Sequence, residues 1–247
     1  MVLADHLFVL VLAVLYPVAG YFGFRRLLRQ IAAGAPVDRT RLYRMTIAGH
    51  AVLFGVALAI WAVSGRRWSA LGLGFAADGA FLAGALVTGA VIALLWRQLR
   101  RVSSAGAAEI SRLRQGLGTL EAIIPHNAAE LRRFHTLSIT AGIVEELLWR
   151  GYLIWYLAAF MPLLAAASLS AIGFGAAHAY QGIANLPRIT FVGFALAALY
   201  LLCGSLWLPM ILHAAVDILQ GRLAFAVVTG AGARTVTASR RLPTSSD

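Results

Sequence analysis

Residues 134–158 read FHTLSITAGIVEELLWRGYLIWYLA. The run is 25 residues long, enough to cross a hydrocarbon core about 30 Å thick. It nevertheless carries Glu145, Glu146 and Arg150 near its middle. An acidic or basic side chain at the centre of a membrane helix costs at least about 2.5–3.5 kcal/mol on the insertion scale. The segment therefore reads as a membrane helix whose charges are paired or put to use. Glu146 and Arg150 are four positions apart and share a helix face, so they can form an ion pair. Glu145 is rotated about 100° from Glu146. One carboxylate can be neutralised by Arg150 while the other stays free for chemistry.

Composition extends the membrane reading to the whole chain. Of 247 residues, 60% are hydrophobic and 13% charged, with a mean hydropathy of +0.79. A soluble domain carries about 25% charged residues, so there is too little polar surface here to coat a water-soluble globule. Six further spans are expected at 5–24, 45–64, 80–96, 161–179, 188–206 and 207–220. The last is short, and Leu223–Val228 either extends it or lies at the interface. The N-terminal run has no basic residue before it, which excludes a signal-peptide n-region and favours a first membrane helix.

The net charge is +11 and every basic residue is Arg. A pI of 11.1 would suit nucleic-acid binding in a soluble protein, but the hydropathy excludes that class. The arginines cluster between spans, at Arg25–Arg44 and again at Arg97–Arg133. Such clusters mark the cytoplasmic side and can meet anionic headgroups. Their alternation favours an N-terminus outside and a C-terminus in the cytoplasm; an even span count, with the N-terminus also inside, is the alternative. Arg66 and Arg67 are misfits, since this topology leaves them outside. Between the third and fourth spans, VSSAGAAEISRLRQGLGTLEAII mixes apolar and charged residues at helical spacing, as an amphipathic interfacial helix does. Pro125 then breaks the chain. Cys203 is the only cysteine, forms no intrachain disulfide and reads as packing.

The remaining intramembrane charges sit in two other segments. IGFGAAHAYQG (172–182) puts Phe174 and His178 on one face; LWLPMILHAAVDIL (206–219) does the same for His213 and Asp217. Asp217 could contact or orient the His213 imidazole. Each set alone has an ordinary structural explanation: an ion pair, a satisfied core histidine, a packing hydrogen bond. Three such sets in one short region point to polar faces that converge on a functional site inside the bundle.

The ordered pattern EExxxR (Glu145, Glu146, Arg150), FxxxH (Phe174, His178) and HxxxD (His213, Asp217) resembles the CAAX protease and bacteriocin-processing family of intramembrane peptidases. These are prokaryotic relatives of the endopeptidase that trims prenylated CAAX proteins. The resemblance covers roughly residues 120–220. It implies that Glu145 is the general base for a water that His178 also holds. It implies that His213 and Asp217 stabilise the oxyanion, Asp217 directly or by orienting His213. Glu146 and Arg150 would support the electrostatics, and Phe174 would pack beside His178. No Ser, Cys or Thr sits in these motifs as a covalent nucleophile, so water attack without an acyl-enzyme is favoured. A metal-free Glu/His mechanism, with no cofactor, is preferred. A divalent ion such as Zn²⁺, held by Glu145, His178 and His213, is the alternative, although HExxH is absent.

The expected fold is all-α, a polytopic transmembrane helix bundle of about seven or eight membrane helices plus a cytoplasmic-side amphipathic helix. The expected divisions are 1–97 for the N-terminal membrane helices, 98–133 for the amphipathic segment, 134–229 for the catalytic bundle and 230–247 for a disordered tail. The expected function is an intramembrane endopeptidase of the bacterial plasma membrane, with a membrane protein or peptide as substrate and no nucleic acid as partner. The competing reading is a non-catalytic chaperone, scaffold or immunity factor of the same fold. A transporter would call for inverted repeats, and none is visible.

Overall fold

The computed structural model describes residues 1–230, and the tail expected to be disordered lies outside the described residues from 231 onward. Those described are helical, with no strand among them. α1 (Leu3–Ala32) is one continuous helix with a π turn at Val11–Leu15. Pro17 follows at once, and the wider turn absorbs the backbone hydrogen bond that proline cannot make. α2 (Arg39–Val63) and α3 (Gly79–Ser103) are N-capped by Asp38 and Asp78, whose carboxylates accept from Arg41 N at 2.9 Å and Phe81 N at 2.8 Å. α4 (Ala107–Leu117) is the short mixed-charge helix and buries Ile110 against Val102 and Val227.

α5 spans 128–157 and starts at Asn127, whose side chain accepts from Glu130 N at 2.9 Å. The Glu130 carboxylate reaches back to His126 N at 2.7 Å. α5 widens into a π helix over Leu147–Leu153, where every residue is buried. α6 (Leu163–Ala177), α7 (Leu186–Cys203) and α8 (Trp207–Thr229) follow. α7 and α8 end at Gly204 and Gly230, both left-handed at φ 60° and 63°, where glycine avoids a Cβ clash.

Five of the eight helices are long and apolar enough to cross a membrane: α1, α2, α3, α7 with the turn before it (Ile183–Cys203), and α8. Two of the seven expected spans do not meet that standard. α5 is dense in charge, and α6 has only 15 residues. α8 is longer than expected, at 23 residues. Arg222 does not end it, because the guanidinium lies 5.9 Å from the Trp96 ring centroid on α3.

The polarity is arranged inside out. Asp5, His50, Glu146, Arg150 and His213 are buried, while Val63, Leu86, Leu164 and Phe191 are among the most exposed side chains. A surface of this kind belongs in lipid, and the chain is an integral membrane protein. α8 packs along α5 and α3, α2 packs on α5, and α6 on α7. The α5–α8 crossing is close because Gly142 has no side chain. A Cβ there would lie 2.7 Å from Ala214 N and 2.9 Å from Met210 O. Phe8 and Leu12 of α1 and Leu53, Ala57 and Trp61 of α2 share one core with Leu147, Leu148 and Tyr152 of α5. The N-terminal helices are therefore walls of the same bundle that carries the motifs.

Arg66, a misfit for topology, has a structural partner. It donates to Asp5 at 2.7 and 2.6 Å. Its guanidinium lies 4.5 Å from the Trp155 ring and 5.4 Å from Trp61.

Candidate active site

The site forms where α5, the end of α6 and the middle of α8 meet beside α2. Glu145 and Glu146 are the last two residues before the π segment of α5. Wider turns of this kind recur at functional sites, because they re-aim neighbouring side chains. Glu146 Oε1 accepts from Arg150 Nη1 at 2.7 Å and from His213 Nδ1 at 2.6 Å. Glu146 and Arg150 are both fully buried. Arg150 also donates from Nη2 to the Gly193 carbonyl at 3.1 Å and lies 4.3 Å from the Phe174 ring centroid. This cation is thus held by a carboxylate, a carbonyl and an aromatic face.

Glu145 points away from that cluster and is ringed by imidazoles. His50 Nε2 is 3.3 Å from its Oε1. His178 Nε2 and His213 Nε2 lie 3.8 and 4.0 Å from its Oε2. Oε2 is buried and makes no hydrogen bond among the described residues. The structure therefore brings Glu145, His178 and His213 to one point.

The tautomers follow from the partners. His178 Nδ1 lies 2.8 Å from the Phe174 carbonyl. A carbonyl only accepts, so Nδ1 carries the proton and the neutral ring turns a lone pair on Nε2 toward Glu145. Phe174 also stacks near His178, with centroids 4.6 Å apart, and meets His213 edge-on at 5.8 Å. It does more than pack, since its carbonyl sets the His178 tautomer and its ring carries Arg150. His213 gives its Nδ1 proton to Glu146, leaving Nε2 facing Glu145 and Asp217.

Asp217 Oδ2 lies 3.8 Å from His213 Nε2, beyond hydrogen-bond reach. Its side chain is 39% exposed, whereas those of Glu145 and His213 are 15% and 8%. The contact that orients the His213 ring comes from Glu146. Spacing alone favoured Asp217, because i,i+4 neighbours are visible in sequence and a partner on another helix is not.

His50 was missed in the sequence. It is an ionisable residue inside an apolar run, which is the signal that singled out the motif residues. His50 lies on α2, far in the chain from the three motif segments and with no charged residue beside it in its own run. Asp5, at the start of the first span, is fully buried and also accepts from the Tyr152 hydroxyl.

For a divalent ion, the donors to consider are Glu145, His178 and His213. Among the described residues, no three His, Cys, Asp or Glu side chains are grouped so that they could hold one.

Residues 128–219 match a family model described as Rce1-like: Type II CAAX prenyl endopeptidase Rce1-like. No curated protein and no solved structure gives a match to the chain.

Proposed function

We propose, from the match of residues 128–219 to the Rce1-like family model, that the chain is an intramembrane endopeptidase that hydrolyses peptide bonds with a water activated by Glu145. The observation that carries the mechanism is the unpartnered Oε2 of Glu145, which faces the Nε2 atoms of His178 and His213. Oε2 and the His178 lone pair are two acceptors 3.8 Å apart, a separation that one water about 2.8 Å from each would bridge. That water would donate one proton to each acceptor and turn its oxygen lone pair toward a substrate carbonyl.

Glu145 takes a proton as the water oxygen bonds to the carbonyl carbon, and the carbonyl oxygen becomes an oxyanion. His213 can donate to that oxyanion from Nε2 in its doubly protonated form, with Glu146 accepting from Nδ1 behind it. The proton on Glu145 then passes to the leaving amide nitrogen as the C–N bond breaks. Both products leave with complete valences and no covalent enzyme intermediate forms. Asp217, the most exposed of the set, sits at the rim on the side of His213 Nε2, where it can stabilise the oxyanion only as the neutral carboxylic acid, whose O–H donates. The substrate class is a membrane-associated protein or peptide; the family description suggests a prenylated carboxyl terminus as the first candidate to test.

The test is Glu145→Gln. Membranes carrying the wild-type or variant chain are compared by mass spectrometry for new protein termini and accumulating precursors. A set of cleavages should vanish in the variant at equal protein level. Identical profiles would overturn the peptidase reading and favour the non-catalytic one.

A further inference from the structure

We infer that His50, contributed by α2, is a positioning residue for the reaction: it holds Oε1 of Glu145 and thereby leaves Oε2 as the oxygen that takes the proton from water. The inference rests on the proposed peptidase reading and extends the site beyond residues 128–219 to the N-terminal helices.

His50 is 4% exposed. Its Nε2 is the nearest histidine nitrogen to the Glu145 carboxylate, at 3.3 Å against 3.8 and 4.0 Å for His178 and His213. It faces the other oxygen. An ionised carboxylate only accepts, so Nε2 is the protonated nitrogen of His50. Its Nδ1 is buried and has no hydrogen-bond partner among the described residues, so the ring is not committed to another polar group. The Tyr16 ring of α1 lies 6.4 Å from it, and Leu53, Ala57 and Trp61 carry the same helix into the core.

A free carboxylate could rotate about its last torsion and present either oxygen to the water. Fixing Oε1 from α2 removes that freedom and keeps Oε2 within reach of both His178 and His213. Such pre-orientation of a base matters to rate because displacements of about 1 Å can cost on the order of a hundredfold.

The substitutions His50→Gln and His50→Asn separate positioning from structure. Both are neutral and polar. The Gln amide reaches about as far as imidazole Nε2, and Asn is one methylene shorter. The full chain is expressed in membrane vesicles, and the rate of appearance of Glu145-dependent new termini is followed with the resident membrane proteins as probe. Thermal unfolding in detergent is followed in parallel. His50→Asn should slow cleavage at least about tenfold, and His50→Gln should recover most of the rate, while the two unfold at similar temperatures. Wild-type cleavage by His50→Asn would overturn the inference, and so would a His50→Gln variant that folds but is as slow as His50→Asn. Both outcomes leave the peptidase reading standing. Absence of Glu145-dependent termini in the wild type would sink that reading, and the role of His50 with it.

Discussion

Asp5, fully buried near the start of α1, holds Arg66 from the turn after α2 by two hydrogen bonds of 2.7 and 2.6 Å. Tyr152 of the α5 π segment donates to the same carboxylate at 2.5 Å. Three chain regions far apart in sequence are thereby tied at one end of the bundle, and Trp61 and Trp155 line the cation. Loss of one partner strands the other, a cost of about 3–5 kcal/mol for a buried pair. Asp5→Asn should lower stability by that order. A double change to Asp5→Leu with Arg66→Met should cost less than the single one, because no charge is left unpaired. Unfolding of detergent-solubilised protein, followed by tryptophan fluorescence, measures both.

The two adjacent carboxylates should fail in different ways. Glu146 neutralises a fully buried Arg150 and orients His213. Glu146→Gln should therefore cost about 3–5 kcal/mol of stability as well as activity. Glu145 is opposed by imidazoles and by no arginine, so Glu145→Gln should leave the unfolding transition within about 1 kcal/mol of wild type while abolishing cleavage. Equal destabilisation by the two changes would contradict this division of labour.

Much of this arrangement was legible in the sequence for a physical reason. Lipid makes each charge in an apolar helix expensive, so Glu145, Glu146, Arg150, His178, His213 and Asp217 stand out without any structure. Contacts four residues apart were also readable, and the Glu146–Arg150 pair is one of them. Contacts between helices were not. The bond from Glu146 to His213, the approach of His50 to Glu145 and the clasp of Arg66 by Asp5 depend on how helices pack, and no period in the sequence encodes that. The role of the Phe174 carbonyl was invisible for a different reason: a backbone atom has no sequence signature. The end of α8 lies beyond the expected 220, and Arg222 in that extension finds an aromatic partner, Trp96, on α3.

The approach of α8 to α5 sets the distance from His213 to Glu145. Gly142 permits that approach, and a Cβ there would meet backbone atoms of Met210 and Ala214 at 2.9 and 2.7 Å. Backbone cannot swing aside as a long side chain can, so Gly142→Ala should cost about 1–3 kcal/mol. It should also push α8 outward beside His213 and reduce cleavage more than stability alone explains. Gly20→Ala is the control, because nothing lies within 4 Å of its added methyl and alanine favours helix by roughly 0.5–1 kcal/mol. A Gly142→Ala variant with wild-type turnover would show that the α5–α8 spacing is not critical to the site.

The donor atoms around Glu145 decide what a chelator should do. His178 Nδ1 is engaged by the Phe174 carbonyl and His213 Nδ1 by Glu146, which leaves their Nε2 atoms facing Oε2 of Glu145 at 3.8 and 4.0 Å. In the proposed reaction these atoms handle a water and an oxyanion through protons alone, and no step requires a metal ion. Purified protein extensively dialysed against a strong chelator should therefore keep its cleavage rate, and added Zn²⁺ should inhibit, because the ion would compete with water for the same lone pairs. A rate that collapses in chelator and returns with Zn²⁺ would instead assign Glu145, His178 and His213 as ligands. Glu145→Gln would then lose metal affinity along with activity, which direct metal analysis of the purified variant would reveal.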